Sequence, residues 1–340
     1  MKLNFRRGSA FASKKAKDFL QDKQPEDFKN ITVIRHAAIG DFMNIRPFLI
    51  NLRGYFPNAK ITLSVDRNAM YGIPNDLIDN IHIIDKRNKK TKNRSSLLNR
   101  IKQIKELPPQ DIIFDLTDST LTLLQIIFSN AKLKIGYPYR GIRRAFYDIA
   151  TLRSDFVIEA ESTQHMLNIL GSKNLTPLQY GFEKKYPKDL KNRIIYFAGA
   201  STANKCWETS KFTALINKLS SEYLDYEHVI LQGIKDDEKF QDIYQPLKDK
   251  KNVLIQEPME LDVVMQYLSD AKCVISNDTG IRNMAIAVET PTVGIFFATG
   301  AYRYWPRDGK NVCVFNNDYL SPSIQDVWDE TKHLLTKLYS

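Results

Sequence analysis

Two stretches of the chain carry residue types suited to breaking a bond to phosphate. The first, Gly199 to Trp207, reads G-A-S-T-A-N-K-C-W. Ser201 and Thr202 can donate hydroxyl hydrogens to phosphate oxygens, and Lys205 adds a point charge. The G-K-[ST] ending of a Walker loop is absent, and alone the stretch also fits a plain surface loop. The second runs N-D-T-G-I-R-N from Asn277 to Asn283. Asn277, Asp278, Thr279 and Gly280 suit a turn that starts a helix. The N–H groups at a helix start lack partners and carry the positive end of the dipole, roughly half a charge. Such a place holds a phosphate, although an ordinary βαβ turn with a capped helix reads the same way. Taken together, the two stretches predict a two-sided cradle for a diphosphate.

A third group lies far away in the chain. Asp41 follows Ile39-Gly40 at a strand end. Its carboxylate either caps a helix or acts as a general base. No second carboxylate at a matching loop invites a two-acid glycosidase scheme. Asp115 and Asp118 flank Leu116-Thr117 at another strand end, where they cap a helix or help bind an acceptor. His36 is read either as a substrate contact or as a structural hydrogen-bonding residue.

These residues need strand ends to carry them. Ile31–Arg35 is a β-branched run that suits a buried parallel strand, and Phe42–Phe56 reads as a helix despite Pro47. Strands are expected at 61–65, 81–84, 111–116 and 133–136, with helices at 95–106 and 120–128. Residues 162–192 read as a hinge, with a helix at 165–170 and a proline-bearing stretch after it. The rhythm then restarts, with strands at 193–198, 228–231 and 252–255. Helices are expected at 209–223, 236–247 and 260–270. Cys273–Phe296 reads as strand, turn, helix and strand, and 322–339 as a closing helix. Residues 10–20 are read as a short helix, in a loose arm or lying on a surface. Ligands of open parallel sheets sit at the carboxyl ends of strands. Loops 35–41, 199–207 and 276–282 all lie there, and two α/β domains in sequence predict a cleft between them.

The 340 residues leave room for two domains. No apolar run reaches membrane-spanning length, and the basic N-terminus lacks the apolar core of a secretory signal. Cys206, Cys273 and Cys313 are scattered, with neither disulfide nor metal-ligand spacing, which points to a reducing cytoplasm. The formal charge of +10 is uneven: residues 86–105 hold nine Lys or Arg and no acid. Lys132, Lys134, Arg140, Arg143 and Arg144 form a second basic group and residues 1–30 a third. An anionic membrane surface, a phosphorylated substrate and nucleic acid all fit such charge, as does a solvated basic face. The basic segment has no interleaved aromatics and no nucleic-acid motif, so nucleic acid is the poorest of these partners.

Read together, the loops resemble glycosyltransferase family 9, the ADP-heptose:lipopolysaccharide heptosyltransferases. The I-T-V-I-R-H-A-A-I-G-D of Ile31–Asp41, then Pro47 and L-R-G-Y-F-P-N-A from Leu52 to Ala59, resemble the family's first strand, loop and helix. Gly199–Trp207 is similar to its G-A-S-x-x-x-K-x-W, and Asp278-Thr279-Gly280 to its D-T-G turn. P-T-V-G-I-F, Pro291–Phe296, resembles its last strand, so the likeness covers roughly residues 31–320. The sequence departs from the family in three places. Asn283 stands where the pattern has His, Glu208 follows Trp207 in place of Pro, and F-A-T replaces G-P-T after the last strand.

The resemblance implies an α/β chain of GT-B fold, two Rossmann-like domains with parallel sheets facing an interdomain cleft. The expected division is a basic extension over 1–30, an acceptor domain over 31–170, a linker over 171–192, a nucleotide-sugar domain over 193–320, and a helix crossing back over 321–340. It implies inverting, metal-independent transfer with an ADP-sugar as donor substrate and no cofactor. Asp41 then takes the place of the general base, and Lys205 that of the cation that neutralises the leaving diphosphate. Ser201, Thr202, Asp278, Thr279 and Gly280 fall on the donor phosphates and Met259 on adenine. Arg282 and Asn283 complete the donor set. His36, Gly40, Asp118, Arg140 and Arg143 line the acceptor side. The implied acceptor is a phosphorylated, Kdo-bearing lipopolysaccharide or lipooligosaccharide core, reached from the cytoplasm or from the cytoplasmic face of the inner membrane. The alternatives are a family member with another donor or acceptor, and a GT-B-shaped binding protein weakened in catalysis by Asn283.

Overall fold

A computed structural model describes every residue except 7, 86–95, 140, 174, 176, 186–188, 319 and 340. The chain divides into two compact units, Met1–Gly181 and Phe182–Ser340. The boundary falls inside the stretch expected to link two domains.

The first unit begins with β1 (Ala10–Ala12) and α1 (Lys14–Gln21), then β2 (Asn30–Ile34), α2 (Ile39–Tyr55), β3 (Lys60–Asp66) and β4 (Asn80–Ile84). It continues with α3 (Leu97–Lys105), β5 (Gln110–Asp115), α4 (Thr120–Phe128), β6 (Ala131–Gly136), β7 (Ile149–Thr151) and α5 (Glu159–Ile169). Among the described residues its strands form one sheet in the order β1-β7-β6-β5-β2-β3-β4, parallel except for β1. Ile31 and Val33 of β2, central in this order, are fully buried, as an apolar run between two parallel neighbours requires. Pro47 sits inside α2, where it removes one backbone bond. The helix continues because Phe42, Ile45, Phe48, Leu49 and Leu52 are all buried.

The N-terminal stretch corrects an expectation. Residues 10–12 are a strand, not part of a helix, and they pair antiparallel with β7, Ala10 opposite Thr151. Ser13 then caps α1, and Ala16 and Leu20 enter the core. Phe28 packs edge-on against Phe56, with ring centroids 5.0 Å apart. β1 therefore covers the edge of β7 that a loose arm would leave open, and the apolar residues after it join the core.

The second unit runs β8 (Lys191–Phe197), α6 (Thr209–Glu222), β9 (Glu227–Leu231), α7 (Gln241–Tyr244), β10 (Val253–Gln256) and α8 (Leu261–Ser269). Then come β11 (Ala271–Asn277), α9 (Gly280–Ala287), β12 (Thr292–Ile295), β13 (Asn311–Val314) and α10 (Ile324–Tyr339). The described strands form an all-parallel sheet, β10-β9-β8-β11-β12-β13. The helix expected over 236–247 is broken into short turns. Phe240 takes a left-handed conformation (φ 47°), and Pro246 confines the last turn to a 3₁₀ helix. The closing helix α10 packs on α6, β12 and β13 of its own unit. No described helix is long and apolar enough to cross a membrane.

Candidate active site

In the second unit, β8 and β11 are neighbours, so the two phosphate-type stretches leave the same edge of the sheet side by side. Asn277, fully buried at the end of β11, fastens them. Its amide donates to Ala198 O at 2.6 Å and Gly199 O at 3.3 Å, and its Oδ1 accepts from the Trp207 N–H at 3.0 Å. Trp207 is itself buried, edge-on to Phe212, with its indole N–H donating to Pro322 O. The loop between Gly199 and Trp207 is thus pinned at both ends. Lys205 ends a short 3₁₀ turn there, and its ammonium donates to Asp278 Oδ2 at 2.9 Å. Thr299, from the loop after β12, donates to the same oxygen at 2.8 Å.

Thr279 is the N-cap of α9 and Gly280 its first residue. The Thr279 side chain makes no capping bond, so the first N–H groups of α9 are not closed by their own cap. Ser201 and Thr202 are exposed on the facing loop, Thr202 donating to Asn204 Oδ1 at 2.6 Å. Met259 is half-buried after β10, on the same sheet edge and two strands from β8. Asn283 is buried one helical turn past the cap, its N–H bonded to Thr279 O.

Arg282 does not join this group. Its side chain is fully buried, donating to Tyr304 O at 2.6 Å and Cys313 Sγ at 3.2 Å, with the guanidinium over the Phe296 ring. A Cβ at Gly294 of β12 would overlap it, so the glycine opens the space that Arg282 fills. Burial pushes the Cys313 thiol up to about 11 against the pull of this guanidinium. Arg282 therefore braces the loop that carries Thr299, and not the donor side where the resemblance put it with Asn283. Asp278 also changes role. Its carboxylate faces Lys205 and Thr299, so it positions the lysine; as an anion it is a poor phosphate ligand.

In the first unit, Arg35 follows β2 and its guanidinium is buried. It donates to Asp41 Oδ1 at 2.8 Å, to Glu159 Oε1 at 3.0 Å and to Leu116 O at 2.5 Å. Burial works to lower its pKa, but the fields of Asp41 and Glu159 raise it on balance. Asp41 stands in the first turn of α2, and the N-cap is Ala38, so the capping alternative for Asp41 is not realised. Gly40 is buried beside it, and the Asp41 side chain keeps 33% of its surface exposed. The His36 N–H donates to Thr117 Oγ1 at 2.9 Å, tying the loop after β2 to the loop after β5.

Asp115 organises that second loop. One oxygen accepts from the N–H groups of Thr117 and Asp118, the other from Tyr147 OH at 2.7 Å. Its burial raises the carboxyl pKa, with these bonds opposing. Gly136 makes room for the Tyr147 ring, which a Cβ there would overlap. Asp118 is left-handed (φ 55°) and pairs with Arg143 at 3.3 Å. Asp118 and Arg143 are thus held together in this unit, and Arg140 lies outside the described residues. Neither Arg35 nor Glu159 was assigned a role from sequence. The only signal was the arginine six positions before Asp41 in the I-R-x-x-A-I-G-D run.

The model of glycosyltransferase family 9 (heptosyltransferase) matches residues 139–332, more than half of the chain. The chain belongs to glycosyltransferase family 9. Among curated relatives, this family 9 chain is 24% identical over 329 residues to lipopolysaccharide heptosyltransferase 3 of Escherichia coli, covering 87% of the chain and 92% of the relative. Among solved structures, E. coli heptosyltransferase WaaC with ADP-2-deoxy-2-fluoro heptose matches with a TM-score of 0.71. The match has 16% identity and covers 89% of this chain and 99% of that one. A glycosyltransferase family 9 structure from Veillonella parvula DSM 2008 matches with a TM-score of 0.69 at 18% identity, covering 92% and 99%. At these identities the structural likeness speaks for the fold, and the GT-B expectation for this family 9 chain holds: two α/β units, each on a largely parallel sheet.

Proposed function

We propose that this transferase moves heptose from ADP-heptose onto the inner core of lipopolysaccharide or lipooligosaccharide, with inversion and without a metal or other cofactor. The observation that carries the reading is the node at the start of α9. There Lys205 and Thr299 meet Asp278 beside helix N–H groups that the Thr279 side chain leaves uncapped. A diphosphate that leaves a sugar gains negative charge, and a fixed ammonium with a helix N-terminus stabilises it where it develops. The family supports the reaction class. The lipopolysaccharide acceptor and the ADP-heptose donor are supported by the E. coli relatives, one named a lipopolysaccharide heptosyltransferase and one solved with ADP-2-deoxy-2-fluoro heptose.

In this reading Asp41 takes the acceptor hydroxyl proton on Oδ2, the oxygen outside the Arg35 pair. The acceptor oxygen attacks the anomeric carbon on the face opposite ADP. The carbon–oxygen bond to the β-phosphate breaks, and ADP departs against Lys205, Ser201, Thr202 and the turn Thr279-Gly280. Met259 contacts adenine, and Asn283 donates a hydrogen bond on the donor side. His36, Gly40, Asp118 and Arg143 border the acceptor. The excess of positive charge supports peripheral contact with the anionic inner membrane from the cytoplasm.

The test is transfer from ADP-heptose to phosphorylated core acceptors, with mass detection and with divalent ions chelated. Product is expected under chelation. Asp41→Ala is expected to lose at least about a hundredfold in rate while ADP still raises the melting temperature. Wild-type transfer by Asp41→Ala would remove the base assignment. Absence of both product and any nucleoside-diphosphate shift would favour the binding-protein alternative.

A further inference from the structure

We infer that Glu159 is a positioning residue that sets how firmly Arg35 grips Asp41, and thereby the rate of transfer. The inference rests on the reading of Asp41 as the base. Arg35 is a single buried cation between two carboxylates: it gives Nη2 to Asp41 and shares Nη1 between Glu159 and Leu116 O. The two acids differ. Glu159 is almost fully buried, at the first position of α5, whereas Asp41 is a third exposed. Glu159 in turn accepts from Arg153 Nη2 at 2.6 Å. The four groups are thus a chain, Asp41–Arg35–Glu159–Arg153, with alternating charge and a formal sum of zero.

Alternation has a consequence. A carboxylate beside an arginine is held in one orientation by it, and a second acid on the same guanidinium shares that hold. Glu159 draws part of the Arg35 charge away from Asp41, and Arg153 limits how much it draws. Among the described residues, Tyr137 after β6 and His36 in the Arg35 loop are further titratable groups near this chain. Arg153 lies over the Tyr137 ring, and the Tyr137 hydroxyl is pushed up to about 12, chiefly by burial and then by Glu159, so it stays neutral. His36 is the immediate chain neighbour of Arg35, its N–H tied to Thr117.

The two ends of the chain therefore act with opposite sign. Glu159→Gln gives Arg35 wholly to Asp41, so the acid limb of the kcat/KM profile moves down and the plateau rate falls roughly threefold to tenfold. Arg153→Met lets Glu159 draw harder on Arg35, and the acid limb moves up. The ADP-induced rise in melting temperature stays at its wild-type size in both. An unmoved limb in both variants, or shifts of the same sign, would overturn the inference, since a bracing role alone has no reason to move the limb in opposite directions. If Glu159→Gln fails to fold, the direction for Arg153→Met still decides. Asp41→Asn separates the two readings. Wild-type transfer by it would sink the base assignment itself; an inactive Asp41→Asn with unmoved limbs elsewhere would sink only the role of Glu159.

Discussion

Lys205 already has a counterion, Asp278 at 2.9 Å, and this shapes what its removal does. An ammonium has three donors, and one is used on Asp278, which leaves two for phosphate oxygens. Lys205→Ala removes those donors and also leaves the Asp278 carboxylate near the place a diphosphate would take. ADP affinity is expected to fall by about tenfold to a hundredfold, as for a charged hydrogen bond lost. Lys205→Ala combined with Asp278→Ala is expected to recover part of the loss, because the stranded anion goes too. Calorimetry of ADP binding to the wild type and the two variants reads this directly; a double variant weaker than Lys205→Ala would contradict it. Arg282 marks what residue identity leaves open. Its neighbours in the sequence are phosphate-type residues, yet its guanidinium lies on Phe296 and Cys313 because Gly294 leaves that space.

At the scale of elements, the donor seat depends on β8 and β11 lying side by side and on Asn277 bonding across them. The next strand brings a pH liability. His228 of β9 is fully buried, with Nδ1 2.8 Å from Tyr196 OH of β8 and Nε2 3.2 Å from Tyr223 O. A neutral ring satisfies both, accepting from the hydroxyl and donating to the carbonyl. Burial holds its pKa down to about 4, against the Tyr223 carbonyl, with Lys250 adding to the fall. The folded pKa lies below the ordinary histidine value, so the unfolded chain takes the proton first. The stability tied to this residue is complete above about pH 6.5 and drains as the pH falls toward about 4, by about 3 kcal/mol at most. His82, packed between Ser64 and Gln103 O, is shifted the same way by burial and adds to the slope. Urea unfolding at pH 7.5 and 4.5 is expected to show a smaller difference for His228→Gln than for the wild type; an equal difference would exclude His228 as a source.

For the whole molecule the formal charge of +10 matters more than any one pair. The first-half basic segment, residues 86–105, lies outside the described residues up to 95, and α3 covers its later part with Lys102 and Lys105 in the last turn. Attraction of such a charge excess to phosphorylated core or anionic lipid is screened over roughly 8 Å at physiological salt. Co-sedimentation with vesicles containing anionic lipid is therefore expected to fall steeply between low and high salt, and to weaken when Lys and Arg in 86–105 are replaced by Gln. Binding that ignores salt would count against an electrostatic contact.

Much of this molecule was legible as local pattern. The apolar runs at 31–35, 61–65 and 273–277 read as buried parallel strands, and the polar loops that end them as lying at the carboxyl edges of their own sheets. Residue type and place put Asp41, Lys205 and the turn Asp278-Thr279-Gly280 in loops at strand ends, and the family resemblance supplied the roles expected of them. What the pattern could not carry was short or distant. The strands Ala10–Ala12 and Ile149–Thr151 are too brief to show alternation, and the first forms by pairing with the second, which is itself paired with β6. Arg35 and Glu159 stand 124 positions apart and Lys205 and Asp278 73 apart. A charged residue in a sequence does not say which counter-charge it will meet. That is decided when the loop after β2 meets α5, and when β8 and β11 pair, because burial then makes each charge find a partner at hydrogen-bond distance.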